Sequence, residues 1–235
     1  MNYYKQNNSD FNPAQTRKQI YLYLSNSFAY PEQELVNEIL AGTYFSELQN
    51  LMLGLEIPVN KHDYFKTPFE NVPGGQIADT LGIEYTRLFI NTPNSALLVP
   101  PFESCYKNKS GLVMDRETIS DLNTAYKQAG LIFPDDSILL PDHIAVELEF
   151  MSYLSEQEYT SGESDDTEKT KKIIQQESAF LSKHLNSFFP ELSGKMKDYS
   201  NHLFYKNLAG ITELFLAEET NYLNSNWRLL EKMEV

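Results

Sequence analysis

Several things are scarce in this chain of 235 residues, and each scarcity removes a class of protein. Cysteine occurs once, at Cys105. One thiol closes no internal disulfide and builds no structural zinc site, so a reducing compartment is expected. Basic residues number 19 against 33 acidic ones, a formal charge of −14. Phosphate binding needs a basic surface that releases counterions, so no nucleic acid partner is expected. An anionic membrane surface is equally unsuited. No apolar run approaches the ~18 residues of a membrane span, so no stable membrane insertion is expected. The stretch from Met1 to Pro13 is polar and lacks the apolar segment of a signal peptide. The expected location is therefore the cytoplasm.

Catalytic signatures are scarce as well. Gly74-Gly75 is followed by Gln-Ile-Ala-Asp, without the Lys-Ser/Thr of a phosphate loop. None of the four histidines has a glutamate three residues before it, as a di-iron helical bundle requires. No His-Glu-x-x-His and no Gly-x-Ser-x-Gly occurs. Together these absences favour a binding module over an enzyme, with no catalytic residue, no metal and no cofactor expected.

What is present is apolar, aromatic and helical. Hydrophobic residues make up 41% of the chain, enough for a core, and 15 Tyr and 14 Phe stand against one Trp. Apolar spacing predicts helices over 14–29, 32–41, 43–55, 76–90 and 115–129, the last capped by Asp115 and stopped by Gly130. Pro141 is expected to open the clearest helix, with Ile144, Leu148, Met151 and Ser155 on one stripe and broadened so far that other helices must wrap it. Three more are expected at about 173–187, 190–206 and 207–224. Strand signals are few; Leu97-Leu98-Val99 is short and precedes two prolines. The expected fold is all-α: a single, non-repetitive domain of nine or ten helices spanning 1–235. Residues 1–13 are expected to be flexible, and the charged stretch 156–172 to be a loop, frayed helix ends or a hinge.

Two constellations stand out. In the first, Glu84-Tyr85-Thr86-Arg87-Leu88-Phe89 runs into a Pro-rich loop that returns Pro100-Pro101-Phe102-Glu103-Ser104-Cys105-Tyr106. A helix that delivers aromatics into a Pro-stiffened turn can wall a hydrophobic groove, or can be a well-packed helix end. The second is Pro141-Asp142-His143-Ile144-Ala145-Val146-Glu147-Leu148-Glu149-Phe150-Met151. His143 and Glu147 are one helical turn apart, and Asp142 and Glu149 two turns. Such carboxylates could take an arginine-bearing peptide through charge-assisted bonds; they could equally be a helix cap and an ordinary pair. Both readings stay open on residues alone.

These two stretches resemble the signatures of the TorD/DmsD/NarJ group of molybdoenzyme maturation chaperones. Phe180-Leu181-Ser182-Lys183-His184-Leu185 and Phe204-Tyr205-Lys206-Asn207-Leu208-Ala209 are similar to its C-terminal pattern. One departure is visible: a Trp often follows the His-Leu pair, and Asn186-Ser187-Phe188 stands here. The resemblance implies a cytoplasmic chaperone, not an enzyme. Its partner would be a molybdopterin oxidoreductase precursor and its twin-arginine leader, held until cofactor is inserted. Partner-binding residues implied by position are Tyr85, Leu88, Asp142 and His143. Phe89, Glu103, Tyr106, Glu147 and Glu149 join them on charge and placement. Alternatives are a NarJ-like factor gripping the mature subunit without a leader, and a helical metal- or nucleotide-dependent hydrolase using His143 with Glu147. Monomer and homodimer are both compatible with the sequence.

Overall fold

Helix forms close to where the apolar spacing puts it. The computed structural model describes residues 12–59, 63–69, 72–90, 97–107, 115–134 and 136–232. The expected flexibility of 1–13 thus falls largely outside the described residues, as does part of the loop after Ile90. Helix α1 is Pro13–Phe28, with Asn12 accepting from the Gln15 N–H and Pro13 in the first turn. Then come α2 (Gln33–Ala41), α3 (Thr43–Gly54), α4 (Ile77–Phe89), α5 (Ser104–Lys107) and α6 (Arg116–Gln128). Gly42, at φ +73°, supplies the left-handed turn between α2 and α3. Asp115 caps α6 by accepting from the Thr118 N–H at 3.0 Å, and Gly130 at φ +83° follows its end. The remainder is α7 (Ile144–Glu163), α8 (Thr167–Phe180), α9 (Asn186–Tyr199) and α10 (Leu203–Lys232). No strand forms among the described residues. Leu97–Val99 bends instead, with buried Val99 donating its N–H to the Leu88 carbonyl.

Helix α7 is the axis of the packing. It lies against α1 and α8, while α10 packs on α8 and α9, and α3 covers α1. Serines let α1 and α7 approach closely: Ser25 donates to the Ala145 carbonyl and Ser152 to that of Lys18. Leu148 and Met151 have no exposure, and burial of each contributes roughly 2 kcal/mol. The buried apolar side chains form one contiguous core cluster. No helix among the described residues is long and apolar enough to cross a membrane.

Three boundaries differ from expectation, each for a physical reason. Pro141 does not open α7; the helix starts at Ile144 with His143 as its cap. His143 is held extended by backbone bonds on either side of it to the returning loop: Glu103 N–H to the Asp142 carbonyl, and Ile144 N–H to that of Pro101. The stretch 156–172 is not a loop. It is helical except for Ser164–Asp166, because Glu158 and Ser161 are buried and Glu158 pairs with an interior arginine, which overrides weak local propensity. Pro190 does not separate two helices. A π-helical turn at Leu181–Leu185, in which the Asn186 N–H reaches back to the Leu181 carbonyl, carries the chain from α8 into α9, and Pro190 lies inside α9. The break comes instead at Ser200–His202, where Ser200 Oγ accepts from the His202 N–H and His202 Nδ1 from the Phe204 N–H.

Candidate functional site

The two constellations meet. The antiparallel bridge between Phe102 and His143 clips the returning loop to the entrance of α7, and the two rings lie edge to face at 5.4 Å. Tyr106 fixes the loop further by donating to the Pro100 carbonyl at 2.7 Å, and Tyr126 does the same to Pro141. His143 Nδ1 accepts from the Ala145 N–H at 3.1 Å, so this imidazole is committed to a helix cap. Burial lowers its pKa to about 4 and keeps it neutral.

Behind the bridge lies a closed acid cluster. Glu103, Asp142 and Glu147 have no solvent exposure. Glu103 accepts from His184 Nδ1 at 3.0 Å and forms an ion pair with Lys107. Asp142 Oδ2 accepts from the Ser104 N–H at 3.2 Å, while Oδ1 has no donor. Neither Glu147 oxygen has a donor; Glu147 gains a bond only by carrying a proton itself and giving it to Glu103. Burial first, then the charges of Glu103 and Asp142, raise its pKa well above the carboxylate range. Burial also raises Asp142, against its bonds to Ser104.

The other expected site residues are placed differently. Tyr85, Leu88 and Phe89 are buried in the core, not ranged along an open groove. Tyr85 packs on Tyr30 and Phe89, and Phe89 on Tyr205. Their neighbour Glu84 accepts two bonds from Arg87 and one each from Ser200 and the Asn201 N–H, tying α4 to the α9–α10 turn. Glu149 is exposed and stands apart from Glu147 on the helix surface. Tyr106 is half-buried, with the Lys195 ammonium 4.6 Å above its ring. Two surface hollows lie elsewhere. One, of about 510 Å³, lies between α1 and α3; the other, of about 780 Å³, runs along α6.

Sequence reasoning missed His184 and Lys107 in this cluster, and a second polar node altogether. Arg17, on the apolar face of α1, is fully buried. Its Nε donates to Glu219 at 2.8 Å, its Nη2 to Glu177 at 2.9 Å, and its Nη1 pairs with Glu158. Tyr222 covers the guanidinium at 4.6 Å. The signal was available: Arg17 falls on the same stripe as Ile20, Tyr21 and Leu24, and Glu158 continues the stripe Ile144, Leu148, Met151, Ser155.

The class the structure defines is an all-helical domain with two enclosed polar nodes, each with carboxyl oxygens short of donors. Residues 74–193, more than half of the chain, match the model of the nitrate reductase delta subunit family, and the chain belongs to that family. It is a TorD/NarJ-type maturation chaperone, not an enzyme. It is 27% identical to the chaperone protein TorD of Photobacterium profundum over 211 residues, covering 88% of this chain and 94% of that one. The TorD of Vibrio atlanticus is 26% identical over the same shares. A solved Archaeoglobus fulgidus protein, described as a candidate for redox enzyme maturation, is 20% identical, with 98% of each chain covered and a TM-score of 0.47.

Proposed function

We propose that this chain acts in the cytoplasm, binding the twin-arginine leader and apo form of a molybdopterin-dependent oxidoreductase until cofactor is inserted. The observation that carries the reading is the acid cluster at the meeting of the two signatures. Three carboxyls are buried there; Asp142 and Glu147 have oxygens without donors, and Glu103 pairs with a surface lysine. A guanidinium brings five N–H donors in a planar fork suited to carboxylates. No chemistry is required of the chain, only higher affinity for the immature partner than for the finished one. The charge of −14 favours encounter with a cationic leader.

The test is calorimetric titration of the full chain with a synthetic leader from a co-encoded molybdoenzyme, at low and high salt. Saturable binding that weakens with salt is expected. Capture of the apoenzyme without any leader binding would replace this reading with a second one, a factor that grips the mature subunit. The second reading has support in the matching family's description as a nitrate reductase subunit.

A further inference from the structure

We propose that Lys107 is a built-in substitute for the client's arginine: its ammonium occupies the seat on Glu103 that a guanidinium takes, and the client binds by displacing it. The inference rests on the leader reading above and specifies how that site is guarded.

The donor count motivates it. Two Glu147 oxygens and Asp142 Oδ1 are buried without donors. The Lys107 ammonium carries three protons. It contacts Glu103 and donates to the Lys183 carbonyl at 2.8 Å. Its charge also acts on Glu147, but none of its protons reaches that carboxyl. The seat is therefore filled by a cation of the right sign with too few donors.

Position supports the same conclusion. Glu103 has no exposure, whereas the Lys107 side chain is 29% exposed, so lysine stands at the outer end of the cluster. Glu103 is enclosed, so a ligand that pairs with it must displace a neighbour already standing there. Lys107 is the last residue of a four-residue helical turn, which it can leave without unwinding a long helix.

The molecule also contains its own precedent. Arg17 sits among Glu158, Glu177 and Glu219 with an aromatic ring over it. The second node also has three carboxyls, from Glu103, Asp142 and Glu147, but its lysine pairs with Glu103. At the first node a guanidinium pairs with all three acids, although Glu177 Oε2 is left without a donor. At the second, the ammonium pairs with Glu103, and both Glu147 oxygens and Asp142 Oδ1 are left without donors.

The test is titration of the full chain with two synthetic peptides, one carrying Arg-Arg ahead of an apolar run and one Lys-Lys. Lys107→Met empties the seat and should bind the Arg-Arg peptide about tenfold tighter than the unaltered chain does, with a smaller gain for Lys-Lys. Lys107→Arg fills the seat with a tethered guanidinium and should weaken the Arg-Arg peptide by a similar factor. It also keeps the charge, so it serves if Lys107→Met folds poorly by circular dichroism. If the unaltered chain binds while Lys107→Met, natively folded, binds no tighter, or Lys107→Arg binds as well as lysine, the guard is refuted and the leader reading survives. If no form binds the Arg-Arg peptide, both fall.

Discussion

The buried Arg17 node permits a sharp prediction, because its members should not be equivalent. Arg17→Met removes the cation that pairs with three enclosed carboxyls, from Glu158, Glu177 and Glu219. Stranding buried charges in this way costs about 3–5 kcal/mol. Against a typical domain stability of roughly 10 kcal/mol, that is a large fraction. Glu177→Gln should behave otherwise. Burial raises the Glu177 pKa well above the usual range, with Glu158 and Glu219 adding to the effect against the pull of Arg17. The folded protein therefore holds Glu177 toward its neutral form, which glutamine imitates in shape. Its Oε1 accepts from Arg17 and Ser155, roles a carboxamide oxygen can keep. Glu177→Gln should cost less than about 1 kcal/mol. A raised carboxyl pKa makes the folded state bind more protons, so this group's contribution is lost as pH rises from the ordinary carboxylate range through the folded pKa. Glu177→Gln should remove that loss. Urea unfolding followed by far-UV circular dichroism, at pH 5 and pH 8, measures both quantities. If Glu177→Gln destabilised as much as Arg17→Met at both pH values, Glu177 would be ionised in the fold and the reasoning wrong.

Three further outcomes follow from particular contacts. A Cβ on Gly210 would lie 2.5–2.7 Å from the Tyr64 ring, so Gly210→Ala should destabilise by about 1–3 kcal/mol through overpacking, read as a lower urea midpoint. His143, lowered from 6.5 to about 4, gives stability that is lost as pH falls between those values, about 3 kcal/mol in full. His143→Asn keeps a capping acceptor and should flatten that slope in unfolding titrations. For Glu84, burial opposes ionisation, but bonds from Arg87, the Asn201 N–H and Ser200 outweigh it and lower the pKa. Its contribution is present above the ordinary carboxylate range and lost as pH falls through the folded pKa, so Glu84→Gln should unfold with less dependence on acid.

The all-α architecture is legible because apolar spacing is strong: α1, α2, α3, α4 and α6 begin and end within a residue or so of expectation. Two of the three departures share one cause. Ser161, Gly162 and the surrounding acids suggest a loop by propensity, yet Glu158 is drawn inward by Arg17, 141 residues away in sequence. The start of α7 departs from expectation because His143 is held extended against Phe102 from another segment. In both places a distant polar partner decides a local conformation. At the candidate site, helical spacing correctly puts Asp142, His143 and Glu147 at one helix entrance. It does not tell that Glu147 points into a closed cluster while Glu149 stays in solvent. Nor does it find His184, which joins Glu103 from the π-helical turn.

Exposed Glu149 and enclosed Glu103 stand for two ways in which an acidic protein can hold arginine. If the arginines of a leader rested on exposed carboxylates such as Glu149, salt would weaken the bound complex itself. The Debye length falls from ~10 Å at 0.1 M to ~3 Å at 1 M, so dissociation would quicken as salt rises. If they rest on Glu103, which has no exposure, the contact lies where ions do not screen. The net charge of −14 would then act only during approach. Stopped-flow measurements with an Arg-Arg peptide should accordingly show an association rate that drops steeply with salt and a dissociation rate that stays nearly constant. A dissociation rate rising in step with salt would move the arginines to the surface, and the buried cluster would then owe its unfilled oxygens to some purpose other than this ligand.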